Sequence, residues 1–142
     1  MTHTSLDGGV VAPGEGHVVQ VLGHTYYYKA TSSDTFVFET LDPAGTFVPL
    51  HVHTTQDEFI YVLEGTFTLH LADQQLTAPQ GALIKLPRGV PHAYYNNTDQ
   101  SARGLFWVVP AGKLQALFDV LDGMPPGDDV VTVSAAHDVQ FV

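Results

Sequence analysis

Cysteine is absent from the 142 residues. Disulfides, thiolate nucleophiles, iron–sulfur clusters and cysteine-type zinc sites are thereby excluded, so any metal must take nitrogen and oxygen ligands. Cations are scarce: 5 Lys and Arg against 15 Asp and Glu leave a formal net charge of −10. Such a chain repels phosphate backbones instead of displacing their counterions, which argues against nucleic acid and anionic membrane surfaces as partners. Long apolar runs are missing as well. No window approaches the ~18 residues of a membrane span, and the opening MTHTSLDGG has neither the basic nor the apolar region of a secretory signal. The expected location is the cytoplasm.

What the chain does contain is apolar surface: 44% of its residues are hydrophobic and only 14% charged. A length of this order suits one hydrophobic core. Residues 1–16 carry Gly8, Gly9, Pro13 and Gly14 with little periodicity, and read as an N-terminal arm. From 17 to 110, short runs rich in Val, Tyr, Phe and Thr recur between Gly, Pro, Asn and Asp, among them HTYYYKA (24–30), TFVFETL (35–41), EFIYVLEG (58–65) and RGLFWVV (103–109). No long helical stretch separates them, so the pattern predicts an all-β antiparallel sandwich or barrel. After Pro110 the period changes. Leu114, Leu117, Phe118 and Leu121 recur at helical spacing, predicting one helix over 111–122 packed on the barrel. In the tail, 123–142, the valines favour strand while the middle can form a short helix.

The eight histidines are the informative residues. His51 and His53, two apart on an extended strand, project to one side. Glu58 follows across the polar Thr54–Asp57 connection, which can turn the chain so that a neighbouring strand brings the carboxylate beside the imidazoles. His92 opens a later strand after Pro87-Arg88-Gly89-Val90-Pro91. Three imidazoles and one carboxylate suit one divalent transition ion per chain, Mn, Fe, Co, Ni, Cu or Zn, whereas Mg and Ca prefer oxygen shells. Four protein ligands on an ion that accepts five or six leave positions for water, O₂ or a small-molecule substrate.

The surrounding frame is specific. Gly45, five residues, His51-x-His53, four residues, Glu58, six residues and Gly65 are followed by Gly81, five residues, Pro87-x-Gly89, two residues, His92, three residues and Asn96. These spacings resemble the two signature motifs of the cupin superfamily over residues 45–96. The resemblance implies a double-stranded β-helix, or jelly-roll barrel, with a metal inside one mouth on His51, His53, Glu58 and His92, in a protein that pairs as a homodimer. His3, His17, His24, His70 and His137 stand outside the frame and are expected on the surface or on edges. The Tyr26-Tyr27-Tyr28 run suits an edge or interface, and Phe59, Tyr61 and Leu63, opposite in parity to Glu58, are expected under the second sheet or against a second subunit.

Flanking segments narrow the likeness. A Pro-Gly-x-Gly start at 13–16, Lys29-Ala30-Thr31, and a helix after Pro110-Ala111-Gly112 resemble the layout of quercetinase-like single-domain cupins. That resemblance implies a flavonol-type 2,3-dioxygenase, in which the substrate's enolic oxygen meets the metal, Glu58 accepts its proton as the catalytic base, and O₂ opens the ring. Strand parity with the ligands puts Phe47, Pro49, Ile60, Val62 and Tyr94 on the inward face as substrate-pocket candidates. Two other readings remain open: metal-assisted isomerisation or decarboxylation of a small polar acid or sugar, for which Lys29, Lys85, Arg88, Arg103 and Lys113 are a thin supply of cations, and a non-catalytic module that binds metal or a small molecule.

Overall fold

A computed structural model describes residues 8–142; the expectation for His3 lies outside the described residues. Ten strands alternate with short turns: β1 (His17–Val21), β2 (His24–Thr31), β3 (Phe36–Asp42), β4 (Phe47–His53), β5 (Asp57–Glu64), β6 (Thr66–Leu71), β7 (Gln74–Pro79), β8 (Leu83–Leu86), β9 (His92–Tyr95) and β10 (Ala102–Val109). Helices α1 (Leu114–Leu121) and α2 (Asp128–Ala135) and a last strand, β11 (Val139–Phe141), complete the chain. One antiparallel sheet has the order β1-β2-β3-β10-β5-β8, the other β11-β4-β9-β6-β7. The two pack face to face as the jelly-roll barrel expected from the sequence.

Alternation along each strand fills the space between the sheets. In the larger sheet Tyr26, Tyr28, Phe36, Phe38, Ile60, Val62, Phe106 and Val108 turn inward, and Phe67, Leu69 and Tyr94 face them from the smaller one. The aromatic rings lock together, with Phe38 5.2 Å from Phe36, 5.2 Å from Phe106 and 5.0 Å from Phe118 between ring centroids. Aromatic pairs at such spacings add to the stabilisation from burial alone. The stripe on α1 lands on this core, since Leu114, Leu117, Phe118 and Leu121 are all buried.

Three details sharpen the sequence reading. Tyr26 and Tyr28 lie in the core at 4% and 1% exposure, and β2 is flanked by β1 and β3, so this run does not form an edge. Phe59, Tyr61 and Leu63 do not lie under the second sheet; they face outward, where Phe59 stacks on Trp107 at 5.4 Å and Tyr61 and Leu63 stay exposed. The ambiguous tail takes both of its alternatives in turn, α2 and then β11, which pairs with β4 in the register Val139↔His53 and Phe141↔His51.

The described part of the arm is tied across the outer face of the larger sheet. Glu39, 2% exposed, pairs with Lys29 at 3.0 Å and with Arg103, and its Oε1 accepts from the Gly14 amide at 3.1 Å. Lys29 donates in turn to the carbonyls of Ala12 and Glu15. Gly16 is required at this crossing. Its φ is +114°, and a Cβ there would sit 2.0 Å from the Tyr28 carbonyl oxygen.

Candidate metal centre

The smaller sheet supplies three of the four candidate ligands. β4 presents His51 and His53 on one face, and the β4–β9 register sets His92 directly opposite His51. The turn that delivers His92 is held at both ends: the Gly89 amide donates to the His53 carbonyl at 2.9 Å, and the Arg88 amide to Asp57 Oδ1 at 2.9 Å. Asn96 closes the far side, donating to the Asp42 and Gln100 carbonyls and accepting from Thr98.

Glu58 arrives from the other sheet. Residues 54–56 carry the chain from β4 in the smaller sheet to β5 in the larger one, so the strand bearing the carboxylate is not the hydrogen-bonded neighbour of β4, and Glu58 reaches the imidazoles across the barrel interior. The outcome is convergence: one ligand atom from each of His51, His53, Glu58 and His92 lies within 4.8 Å of all the others. Glu58 Oε1 stands 3.2 Å from His92 Nε2 and 3.6 Å from His53 Nε2. All four side chains are at most 5% exposed.

A cation needs neutral imidazoles and an ionised carboxylate, and the surroundings of His51, His53 and Glu58 push in those directions. Burial pulls the His51 pKa down to about 3, reinforced by the neighbouring His92 and His53, and burial likewise lowers His53. For Glu58, burial pushes upward, but the imidazoles of His53, His92 and His51 outweigh it and hold the carboxyl down at about 2. His51 Nδ1 lies 2.7 Å from the Pro49 carbonyl, to which it can only donate, leaving Nε2 free to ligate. His92 is the unsatisfied member: neither ring nitrogen has a hydrogen bond. A buried polar group in that state costs roughly 1–3 kcal/mol, and a cation accepting its lone pair would remove much of the penalty. The four residues could hold a metal ion.

A cavity opens beside them. Its walls include Tyr26, Phe38, Val48, Tyr94, Phe106, Phe118 and Phe141, and Leu114, Leu117, Leu121, Val130 and Val139 supply most of one side. The pocket candidates read from strand parity fall into three groups. Tyr94 lines the cavity, whereas Ile60 and Val62 belong to the sealed core and do not reach it. Phe47 and Pro49 touch the cavity, but a bulge between Val48 and His51 reverses the parity there: Val48 pairs with Tyr94, while Phe47 pairs with Tyr95 on the outer side and is 55% exposed.

His24 also lines the cavity, contrary to its expected surface position. It is 2% exposed, with Nδ1 2.6 Å from Asp42 Oδ1 and Nε2 3.2 Å from the Phe47 carbonyl, and Thr40 donates to Asp42 Oδ2 at 2.6 Å. The signal lay in strand parity, since His24 shares a face with Tyr26 and Tyr28. His17 is exposed, and His70 and His137 are half-buried. Phe141, 5.8 Å from His51 between ring centroids, is the other residue that sequence reasoning missed.

Comparison with known proteins agrees with this architecture. An uncharacterized protein of Methanocaldococcus jannaschii is 29% identical over 82 residues, a segment that spans 58% of this chain and 64% of that protein's length. Among solved structures, KdgF from Halomonas sp. superposes with a TM-score of 0.70 at 17% identity, covering 76% of this chain and 98% of that one. An RmlC-like cupin from Shewanella frigidimarina gives a TM-score of 0.65 at 15% identity over 78% and 93% of the respective chains. Identities this low speak for the fold alone. The sequence match is more direct: residues 37–109, just over half the chain and the stretch that carries all four candidate ligands, fit the model of the Cupin domain, and the chain belongs to that family.

Proposed function

We propose that the protein is a metal-dependent dioxygenase of the quercetinase-like type, acting on a flavonol or a similar enolisable aromatic with O₂. The observation that carries this reading is the cavity wall beside the ligand set. It is built of aromatic and aliphatic side chains, and none of Lys29, Lys85, Arg88, Arg103 and Lys113 is in it. An apolar pocket with few polar groups favours a neutral aromatic over a sugar acid or phosphate, which would need cationic partners. The same absence weighs against isomerisation or decarboxylation of a small polar acid.

A divalent transition ion held by His51, His53, Glu58 and His92 would supply Lewis acidity toward an enolic oxygen and a site for O₂. The chain's own contribution begins with Glu58, whose carboxylate is ionised at neutral pH and close to the ligand atoms, where its Oε1 or Oε2 can accept the enol proton. Tyr26, Phe38 and Phe118 pack a ring and exclude bulk water, while Val139 and Phe141 close the side next to His53 and His51. The cavity volume is about 90 Å³, narrow for a three-ring flavonol, so single-ring enols belong in the same screen.

The test is O₂ uptake with loss of the substrate's absorbance band, in protein loaded separately with each first-row ion. Turnover with at least one ion is expected, and Glu58→Gln should lower it ~10²–10⁴-fold, the usual contribution of a positioned acid or base. Intact substrate with every ion would contradict the oxygenase reading, and saturable binding without turnover would favour a binding module.

We further propose a homodimer formed through the outer face of the larger sheet, where Tyr61, Leu63 and Leu83 are exposed beside Phe59 and Trp107. Size-exclusion chromatography with light scattering should give about twice the 15.4 kDa chain mass. Monomer at all concentrations would refute pairing.

A further inference from the structure

Gln56 lies in the connection between β4 and β5, 1% exposed, and is not itself one of the candidate ligands. Its amide orientation is fixed by what surrounds it. Nε2 sits 3.0 Å from the Pro110 carbonyl oxygen and 2.7 Å from that of Ala111. Both partners can only accept, so the atom between them must be the NH₂ group and the other amide atom the oxygen. That oxygen, Oε1, is 3.4 Å from His53 Nδ1. It too can only accept, so the proton of a neutral His53 belongs on Nδ1. The lone pair is then on Nε2, the atom 3.6 Å from Glu58 Oε1.

The Pro110-Ala111-Gly112 turn holds this arrangement in place. Gly112 has φ +53°, and a Cβ there would lie 2.8 Å from Gln56 Nε2 and 3.2 Å from Cδ, so the turn packs on the amide with no space for a side chain. The turn then leads into α1, whose Leu114 and Leu117 line the cavity. His51 receives equivalent anchoring from the Pro49 carbonyl, and His92 has none.

We propose that Gln56, clamped by the Pro110-Ala111-Gly112 turn, is the positioning residue that sets the His53 tautomer and aims Nε2 at the ion. The inference rests on the metal-centre reading. It also assigns a task to a sequence feature otherwise without one: the turn that ends the barrel is the fixed point from which one metal ligand is oriented. Removing the group that hydrogen-bonds the other ring nitrogen of a ligating histidine typically costs 10–100-fold in metal affinity.

The test combines two readouts on the full chain. Long-range ¹H–¹⁵N correlation of the histidine rings in the metal-free protein should show His53 protonated on Nδ1 and bare on Nε2; the opposite tautomer would overturn the proposal without any variant. Gln56→Met, similar in shape but with no amide, should then shift His53 to a tautomer mixture and weaken Co²⁺ binding, followed by its visible absorbance, by ~10–100-fold. A merely space-filling Gln56 would leave the tautomer unchanged and affinity within about threefold of wild type, which would refute the role. Should Gln56→Met fail to fold, Gly112→Ala displaces the same amide without altering its chemistry and is expected to weaken Co²⁺ in the same direction; unchanged affinity would overturn the clamp. Absence of Co²⁺ binding by the wild type would instead refute the metal centre, leaving the ring spectra to decide the tautomer.

Discussion

His92→Leu is expected to abolish metal binding and, with it, the stability that a bound ion adds to the folded chain. Both ring nitrogens of His92 are buried without a hydrogen bond, and the residue is 1% exposed among Leu71, Tyr94 and the other three candidate ligands. Without an ion, two effects oppose each other: the leucine escapes the roughly 1–3 kcal/mol cost of unsatisfied ring nitrogens, but the buried Glu58 carboxylate loses the imidazole 3.2 Å away. With an ion, the loss dominates. A ligand present at 1,000 times its dissociation constant stabilises the folded chain by about 4 kcal/mol, and three ligands in place of four would forfeit most of that. Thermal unfolding with and without Zn²⁺ or Co²⁺ should therefore show a large metal-dependent rise for wild type and none for His92→Leu. A variant that retains the rise would contradict the assignment of His92 as a ligand.

The second large effect belongs to His24 and Asp42. Their contact at 2.6 Å joins β2 to β3, and the His24 contact to the Phe47 carbonyl reaches β4 in the opposite sheet. Both side chains are inaccessible to water, at 2% and 0% exposure. Removing one partner of a buried pair strands the other, typically at 3–5 kcal/mol. His24→Ala and Asp42→Ala should each cost about that much in urea unfolding, and the double variant much less than the sum, because after the first loss there is no pair left to break. Single costs below about 1 kcal/mol would show the contact to be incidental. Because His24 lines the cavity as well, His24→Ala should also enlarge it.

Much of the candidate site is visible in the residues themselves. The His51-x-His53, Glu58 and His92 spacings single out the four side chains that the fold gathers within 4.8 Å, because strand parity and turn-forming Gly and Pro are local properties that one chain segment encodes alone. The helical stripe on α1 is legible for the same reason. What escaped depends on pairing between distant segments. The bulge between Val48 and His51 inverts the facing of Phe47, and no composition rule places an extra residue there. The crossing of residues 54–56 to the opposite sheet decides how Glu58 approaches, and sheet membership is a long-range outcome. Ile60 and Val62 have the inward parity expected of pocket residues, yet the core seals over them. The tail became a cavity wall only because β11 found β4 as a partner.

The central claim is that His51, His53, Glu58 and His92 together hold one divalent transition ion. Elemental analysis of protein purified without added metal, repeated after reconstitution and dialysis, tests it most directly. About one equivalent of a first-row transition metal per chain, absent from the His51→Ala/His53→Ala double variant, is the expected result. Equal metal content in wild type and double variant, or none retained by either after reconstitution, would contradict it.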